Sequence, residues 1–273
     1  MLTRIIVAVI AIPVLVVLIF FAPVWALGIV VGGIAAVSAW EFLRCTSRDA
    51  GPRISAYAAV AGFSYPFLSV FYNSARVFEI AVFCLFVAVM VELMLSFRRE
   101  KTMQLDTVAL TLVAGGVFPL LLTGIIHLAV RRNGAVYALL PFVACFSSDS
   151  GAYFAGVFLG RHKLAPRISP NKTIEGSAGG FLLAIGLMLV YGLILQAAGF
   201  QVNYTVMGVY GFLGALAGQA GDLGFSAIKR LCGVKDYGKL IPGHGGMLDR
   251  FDSMIWTAPL LDLVVRWVPA ITR

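Results

Sequence analysis

The chain has 273 residues, 60% hydrophobic and 12% charged, with 21 Lys and Arg against 13 Asp and Glu for a net charge of +8. Its mean hydropathy is +0.93. An ordinary soluble domain carries about 25% charged residues, so this composition excludes a disordered chain, a coiled coil, a small disulfide scaffold and a water-soluble globule, whose surface so few charges would not coat. The class that remains is an all-α, polytopic integral membrane protein built as a helical bundle.

Apolar runs bounded by charge, Pro or Gly predict nine transmembrane helices. In chain order they cover residues 5–21, 24–43, 54–71, 78–95, 107–130, 135–159, 174–200, 204–227 and 251–268. At about 20 residues per span, they leave short loops and no room for a separate soluble domain. Residues 1–273 therefore read as one membrane domain, with helices of unassigned role in 1–133 and the chemistry-bearing motifs in 134–273. The first two spans are separated only around Ala22 and Pro23, as a tight helical hairpin. Arg4 followed by an apolar stretch imitates a signal peptide. That stretch is long for such a core and no small-x-small cleavage site follows, so a retained first helix is expected.

Lys and Arg sort by side. The loops on the N-terminal side hold sixteen of them: Arg4; Arg44, Arg48 and Arg53; Arg98, Arg99 and Lys101; Arg161, Lys163, Arg167 and Lys172; Lys229, Arg230, Lys235, Lys239 and Arg250. The other side holds five: Arg76, Arg131, Arg132, Arg266 and Arg273. Cytoplasmic loops carry the basic excess, so the N-terminus is expected in the cytoplasm. A wrong span count would scramble this segregation. Basic residues interleaved with aromatics for base stacking are absent, so nucleic acid is not an expected partner. Cys45, Cys84, Cys145 and Cys232 show no paired spacing and read as packing residues. Pairs such as Gly28 with Gly32 and Gly176 with Gly180 have the spacing that lets helices approach closely.

Acidic residues are scarce, so their positions inform. Asp149 falls within the sixth span and Glu92 within the fourth, where an ionisable group is costly and either functional or paired to hold helices in register. Asp222 lies near the cytoplasmic end of the eighth span, and Asp249 and Asp252 open the ninth. The three-residue spacing puts Asp249 and Asp252 on one helix face. Three carboxylates at one depth repel unless a cation joins them, and oxygen-only ligands suit Mg²⁺. Helix capping by acids explains Asp249 alone, but not Asp222 across the loop.

Between them runs KRLCGVKDYGKLIPGHGGMLDR, where Lys229, Arg230, Lys235, Lys239 and Arg250 accompany His244, Gly245 and Gly246. Cations beside carboxylates suggest a polyphosphate bridged by metal. The Gly pair would let backbone N–H groups approach phosphate at a helix start. The other large loop on this side, GRHKLAPRISPNKTIEGSAGG, carries Arg161, Lys163, Arg167, Lys172 and Glu175. Pro166 and Pro170 make it an ordered turn rather than a helix. Lys172 then opens the seventh helix, where its cation and the helix dipole face an anion together.

The stretch SAIKRLCGVKDYGKLIPGHGGMLDRFD, residues 226–252, resembles the signature of the CDP-diacylglycerol synthases, also called phosphatidate cytidylyltransferases. Its fixed positions are met at Ser226, Lys229, Arg230, Lys235, Asp236, Gly238, Pro242, His244, Gly245, Gly246, Asp249, Arg250 and Asp252. The upstream SDSGAYFAGVFLGRHKLAPRISPNKTIEGSAGG is also similar, so motif likeness covers residues 147–252, while the first part of the chain adds only hydropathy. The resemblance implies a cytidylyl transfer from CTP to phosphatidate that yields CDP-diacylglycerol and pyrophosphate, with Mg²⁺. Taken with the residues, that reaction gives Asp222, Asp249, Asp252, Lys229 and Arg250 expected roles in catalysis, the three Asp holding metal. Lys172, Arg230, Lys235, Lys239, His244, Gly245 and Gly246 would bind substrate. It places the enzyme among lipids of a bacterial inner membrane with its site at the cytoplasmic face, and leaves a homodimer open.

Two other readings are weaker on the residues. A CDP-alcohol phosphotransferase needs the array D-x-x-D-G-x-x-A-R, which is not found. A transporter of anionic lipid or metabolite needs charge paired along a path, for which Asp149 and Glu92 are thin support.

Overall fold

The computed structural model describes residues 13–47, 49–98, 102–240 and 245–272. Arg4, Arg48, Arg99, Lys101, Pro242, His244 and Arg273 lie outside them. The chain divides into two compact units, Met1–Ile126 with Leu231–Phe251, and His127–Arg230 with Asp252–Arg273. The signature read as one block in the sequence is thereby divided, and its loop belongs with the N-terminal helices.

In the first unit, α1 (described over residues 13–21) ends before Pro23, which stands at the N-cap of α2, Val24–Thr46. Helix α3, Pro52–Leu68, starts on a proline whose missing N–H costs nothing in a first turn. The side chain of Asn73 accepts a hydrogen bond from the Arg76 amide and caps α4, Ser74–Ser96. Then come α5, Leu105–Leu112, a π-helical turn at Val113–Val117, α6, Phe118–Leu122, and α7, Gly124–Ala129. Pro119 lacks the N–H that the Gly115 carbonyl would receive in an α-helix, which accounts for the widened turn just before it. A methyl group on Gly115 would lie 2.8 Å from Ala58 Cα, and one on Gly32 2.8 Å from the Phe63 carbonyl oxygen. Glycine is thus what brings α3 against both α2 and the π-turn. Ala61, Leu85, Val89 and Val108 form a buried apolar cluster between these helices.

In the second unit, α8, Gly134–Ala138, leads into α9, Leu140–Leu159. The proline-bearing loop is an antiparallel hairpin of β1, Lys163–Ala165, and β2, Ser169–Thr173, with Lys163 opposite Thr173 and Ala165 opposite Ser169. This meets the expectation of an ordered turn. Helix α10, Ile174–Ala197, follows, capped by the Thr173 side chain, which accepts from the Gly176 amide at 3.0 Å. Short β3, Gln201–Val202, precedes α11, Tyr204–Leu231, and β4, Ile271–Thr272, follows α12, Leu248–Trp267. Strands β3 and β4 pair with each other. The spacing of Gly176 and Gly180 acts as expected: methyl groups there would meet the Ala152 and Ser148 carbonyl oxygens of α9 at 2.8 and 2.9 Å.

Among the described residues, five helical stretches are long and apolar enough to cross a membrane: Val24–Thr46, Ser74–Ser96, Leu105–Ala129, Gly134–Leu159 and Ile174–Ala197. They present large apolar side chains outward (Leu182 on α10 is 72% exposed), which suits lipid rather than water. The protein is a mostly helical membrane protein. Helices α3, α11 and α12 match three more of the expected spans in position, but are too short or too polar to belong to the five.

Candidate active site

The second unit assembles one group of the expected residues. Lys172, at the end of β2, places Nζ 2.5 Å from Asp222 Oδ2 on α11. Ser226, one turn further along α11, donates its hydroxyl to Asp222 Oδ1 at 3.3 Å. Asp252 on α12 is only 6% exposed and lies within electrostatic reach of Asp222, Lys229 and Asp149. The backbone explains the convergence. A methyl group on Gly221, next to Asp222, would come within 2.9 Å of the Asp252 carbonyl oxygen, so α11 and α12 pack backbone to backbone where their acids sit.

The same helix seam continues away from the acids. Cys145 on α9 donates to Thr257 Oγ1 at 3.2 Å, and that hydroxyl donates to the Gly214 carbonyl on α11 at 3.2 Å. Gln219 donates to the Ser148 hydroxyl at 3.1 Å and the Ser177 carbonyl at 3.2 Å, tying α9, α10 and α11. Polar groups with no water to turn to satisfy one another, and this network holds the acid-bearing ends in register.

The hairpin is fastened to the site from two directions. Glu175, in the first turn of α10, accepts the backbone N–H groups of Arg161 and His162 and lies 2.6 Å from the His162 ring Nδ1. Arg230 donates Nε to the Ile168 carbonyl at the hairpin's turn, 3.0 Å away. Arg230 therefore holds the hairpin that carries Lys172, a structural task added to the anion binding expected of it. Lys229 is buried in the last turn of α11, while Arg161, Lys163 and Arg167 are exposed.

The first unit holds the rest of the signature. Asp249, 7% exposed, receives the backbone N–H groups of Tyr237 and Gly246 on Oδ2, at 2.8 and 3.0 Å. Gly245 adopts φ +85, a left-handed conformation that L side chains avoid. Lys235, Lys239 and Arg250 are exposed. The sequence reading did not single out Glu41. This α2 residue is 7% exposed and accepts the Leu248 amide on Oε2 at 2.9 Å, at the start of α12. Methyl groups on Gly238 and Gly246 would reach 2.2 and 2.5 Å from the Glu41 carboxylate. Both glycines thus let the loop close over a buried acid, a requirement distinct from phosphate approach. Glu92 is elsewhere, lining a cavity of about 670 Å³ with Asp49, Arg53 and Ser96.

Among the described residues, no group of three or more His, Cys, Asp or Glu side chains is gathered to hold a metal ion. Asp222 and Asp252 nevertheless offer a pair of hard oxygen ligands in one neighbourhood. That pair fits Mg²⁺, which commonly takes one or two carboxylates and completes its shell with water and substrate phosphate oxygens.

Comparison with known proteins gives the family. The model of the cytidylyltransferase family matches residues 2–268, and the chain belongs to that family. It is similar to the phosphatidate cytidylyltransferase of Staphylococcus haemolyticus (strain JCSC1435), 42% identical over 137 residues that make up 50% of this chain and 52% of that protein. The corresponding protein of Bacillus subtilis (strain 168) is 45% identical over 130 residues, 48% of this chain and 47% of the relative. That of Staphylococcus aureus (strain COL) is 43% identical over 135 residues, 50% and 51%. The chain spans about half the length of the curated relatives it matches.

Proposed function

We propose that this protein transfers a cytidylyl group from CTP to phosphatidate, giving CDP-diacylglycerol and pyrophosphate, as a nucleotidyltransferase of phospholipid biosynthesis. The observation that carries the reading is the joining of Lys172 to Asp222, beside buried Asp252 and Lys229. Carboxylates and cations interleaved in this way suit polyphosphate chemistry, and the names of the relatives support cytidylyl transfer in particular. A phosphatidate oxygen attacks the α-phosphorus of CTP, the bond from that phosphorus to the bridging oxygen breaks, and pyrophosphate leaves with the electron pair. The nucleophile is already ionised at neutral pH, so the obstacle is anion approaching anion rather than proton removal.

Asp222, Asp249 and Asp252 are the proposed Mg²⁺ ligands. When bound, the ion neutralises phosphate charge and stabilises the leaving pyrophosphate. Lys172 and Lys229 provide fixed positive charge beside the two acids of the second unit, and Arg230 keeps the hairpin bearing Lys172 in place. Gly245, Gly246, Lys235, Lys239, Arg250 and His244, which lies outside the described residues, are proposed to bind the nucleotide phosphates. The sixteen-to-five split of basic residues supports nine spans, a cytoplasmic N-terminus and a site facing the cytosol, where CTP is found.

The test is CTP-dependent release of pyrophosphate by purified protein given phosphatidate and Mg²⁺. Release that requires all three is expected. No release, together with flux of labelled solute into vesicles, would replace the enzyme with a transporter.

A further inference from the structure

At the other end of the second unit's helices, a cavity of about 360 Å³ is lined by Arg131, Arg132 and Arg266, with Asn133, Tyr137 and Val265 among its other walls. Asp262 organises it. This residue is 5% exposed and takes Arg131 Nη2 on Oδ1 at 2.8 Å and Arg266 Nη2 and Nε on Oδ2 at 2.6 and 3.1 Å. His127 Nδ1 stands 3.5 Å from the same Oδ2. One carboxylate thus fixes two guanidinium groups but balances only one, and Arg132 lines the same cavity.

Among the described residues no acid lines this cavity. Arg131 also keeps its Nε buried with no hydrogen-bond partner. An unmet donor on a partly exposed guanidinium (Arg131 keeps 26% of its side chain exposed) is costly, and its natural complement is an anion. Rigid guanidinium forks match the oxygens of a phosphate group, and apolar Val265 and Ile271 with Tyr137 give the cavity an amphipathic lining. Asp262 lies ten residues beyond Asp252 on α12, about 15 Å along the helix axis. The cavity is therefore separate from the acidic site.

We propose that this arginine cavity is a second anion site, which takes the phosphate group of an anionic lipid from the membrane face opposite the acidic site. Its chemistry would also accept a free phosphate, so the experiment carries both probes. Purified full-length protein in non-ionic detergent is titrated with dihexanoyl phosphatidylglycerol or with inorganic phosphate, and the thermal unfolding midpoint is read. A saturable, salt-sensitive rise with the lipid is expected. Its apparent affinity should fall about tenfold in Arg132→Gln, and further in Arg132→Gln/Arg266→Gln. Arg132→Gln alone leaves both Asp262 ion pairs in place, so it keeps the test valid if the double variant folds poorly. The rise should persist in Lys172→Ala, which separates it from the proposed catalytic site. A rise with inorganic phosphate at the same concentrations, lost in the arginine variants, would keep the anion site but assign it to a soluble ligand. No rise with either probe, or an equal rise in parent and Arg132→Gln, would overturn the proposal.

Discussion

The two units use their acids in different ways. In the second, Asp222 faces a lysine side chain and Asp252 sits beside it among charged neighbours, so their carboxylates act on charge. In the first, Asp249 and Glu41 accept backbone N–H groups and close a loop. A carboxylate bonded to backbone amides is an architectural element, whereas one facing a mobile cation can exchange that partner for a ligand. The comparison teaches that one signature can supply an acid that faces charged groups in one unit and an acid that shapes a loop in the other.

The largest effect expected is at the two acids that face charge. On the proposed metal ligation, Asp222→Asn and Asp252→Asn should each lower turnover about a thousandfold, because neutral amides would no longer hold the cation proposed to offset phosphate repulsion. Both should leave helical content and membrane insertion unchanged by circular dichroism and fractionation. Asp249 sharpens the contrast. Asp249→Asn keeps an oxygen to accept the Tyr237 and Gly246 amides, so it should stay folded while losing turnover as the metal proposal requires. Asp249→Ala should in addition lower the unfolding midpoint. If Asp249→Asn turns over normally while Asp249→Ala unfolds early, Asp249 belongs wholly to the loop and the metal is left to Asp222 and Asp252.

Next comes Glu41. Glu41→Ala strands the buried Leu248 amide, at a cost of about 1–3 kcal/mol, and should reduce kcat by loosening the loop. Glu41→Gln retains an acceptor and should recover most of both losses. Gly246→Ala places a methyl group against the Glu41 carboxylate. Its damage should shrink in the Glu41→Ala background, and a double-mutant cycle reads that coupling directly. Strict additivity would mean that the glycine serves something other than the acid beneath it.

Much of this was legible in the chain. Pro166 and Pro170 marked a turn, the structure forms a hairpin there, and the spacing of Gly28 with Gly32 and Gly176 with Gly180 marked helix contacts. Asp222 and Asp252 were singled out, and they lie on neighbouring helices. Glu41 was not, because its partner is 207 residues away and hydropathy reads α2 as an ordinary span. The rule that an acid in an apolar run needs a reason was applied to Glu92 and Asp149. Applied to Glu41 and Asp262 as well, it would have flagged both. The π-turn at Val113–Val117 was hidden for another reason: Pro119 announces a break in a helix but not which way the ladder relaxes. The division of the signature between units depends on tertiary packing, which no local pattern encodes.

A smaller change probes the link between hairpin and acid. Lys172→Ala leaves Asp222 without its 2.5 Å counter-ion. Both groups are partly exposed, so stability should move little. KM for CTP or phosphatidate should rise about tenfold, as expected for one charged contact, with span orientation unchanged by cysteine labelling. Kinetic constants equal to the parent's would reduce this loop to a topology signal.

The smallest effect tests whether glycine serves packing or only composition. Gly32 and Gly33 are neighbours on α2, yet a methyl group on Gly32 would lie 2.8 Å from the Phe63 carbonyl oxygen of α3, whereas one on Gly33 meets nothing within 4 Å. Backbone cannot yield as a side-chain tip can, so Gly32→Ala must push α3 away and strain the first unit. Gly33→Ala restricts the unfolded chain without a clash and should be neutral or stabilising by about 0.5–1 kcal/mol. Thermal unfolding of the two variants in the same detergent should therefore shift in opposite directions or differ plainly in size. Equal shifts would mean that the close approach of α2 to α3 does not govern the stability of this unit, and that the Glu41 contact at the far end of α2 is held by something else.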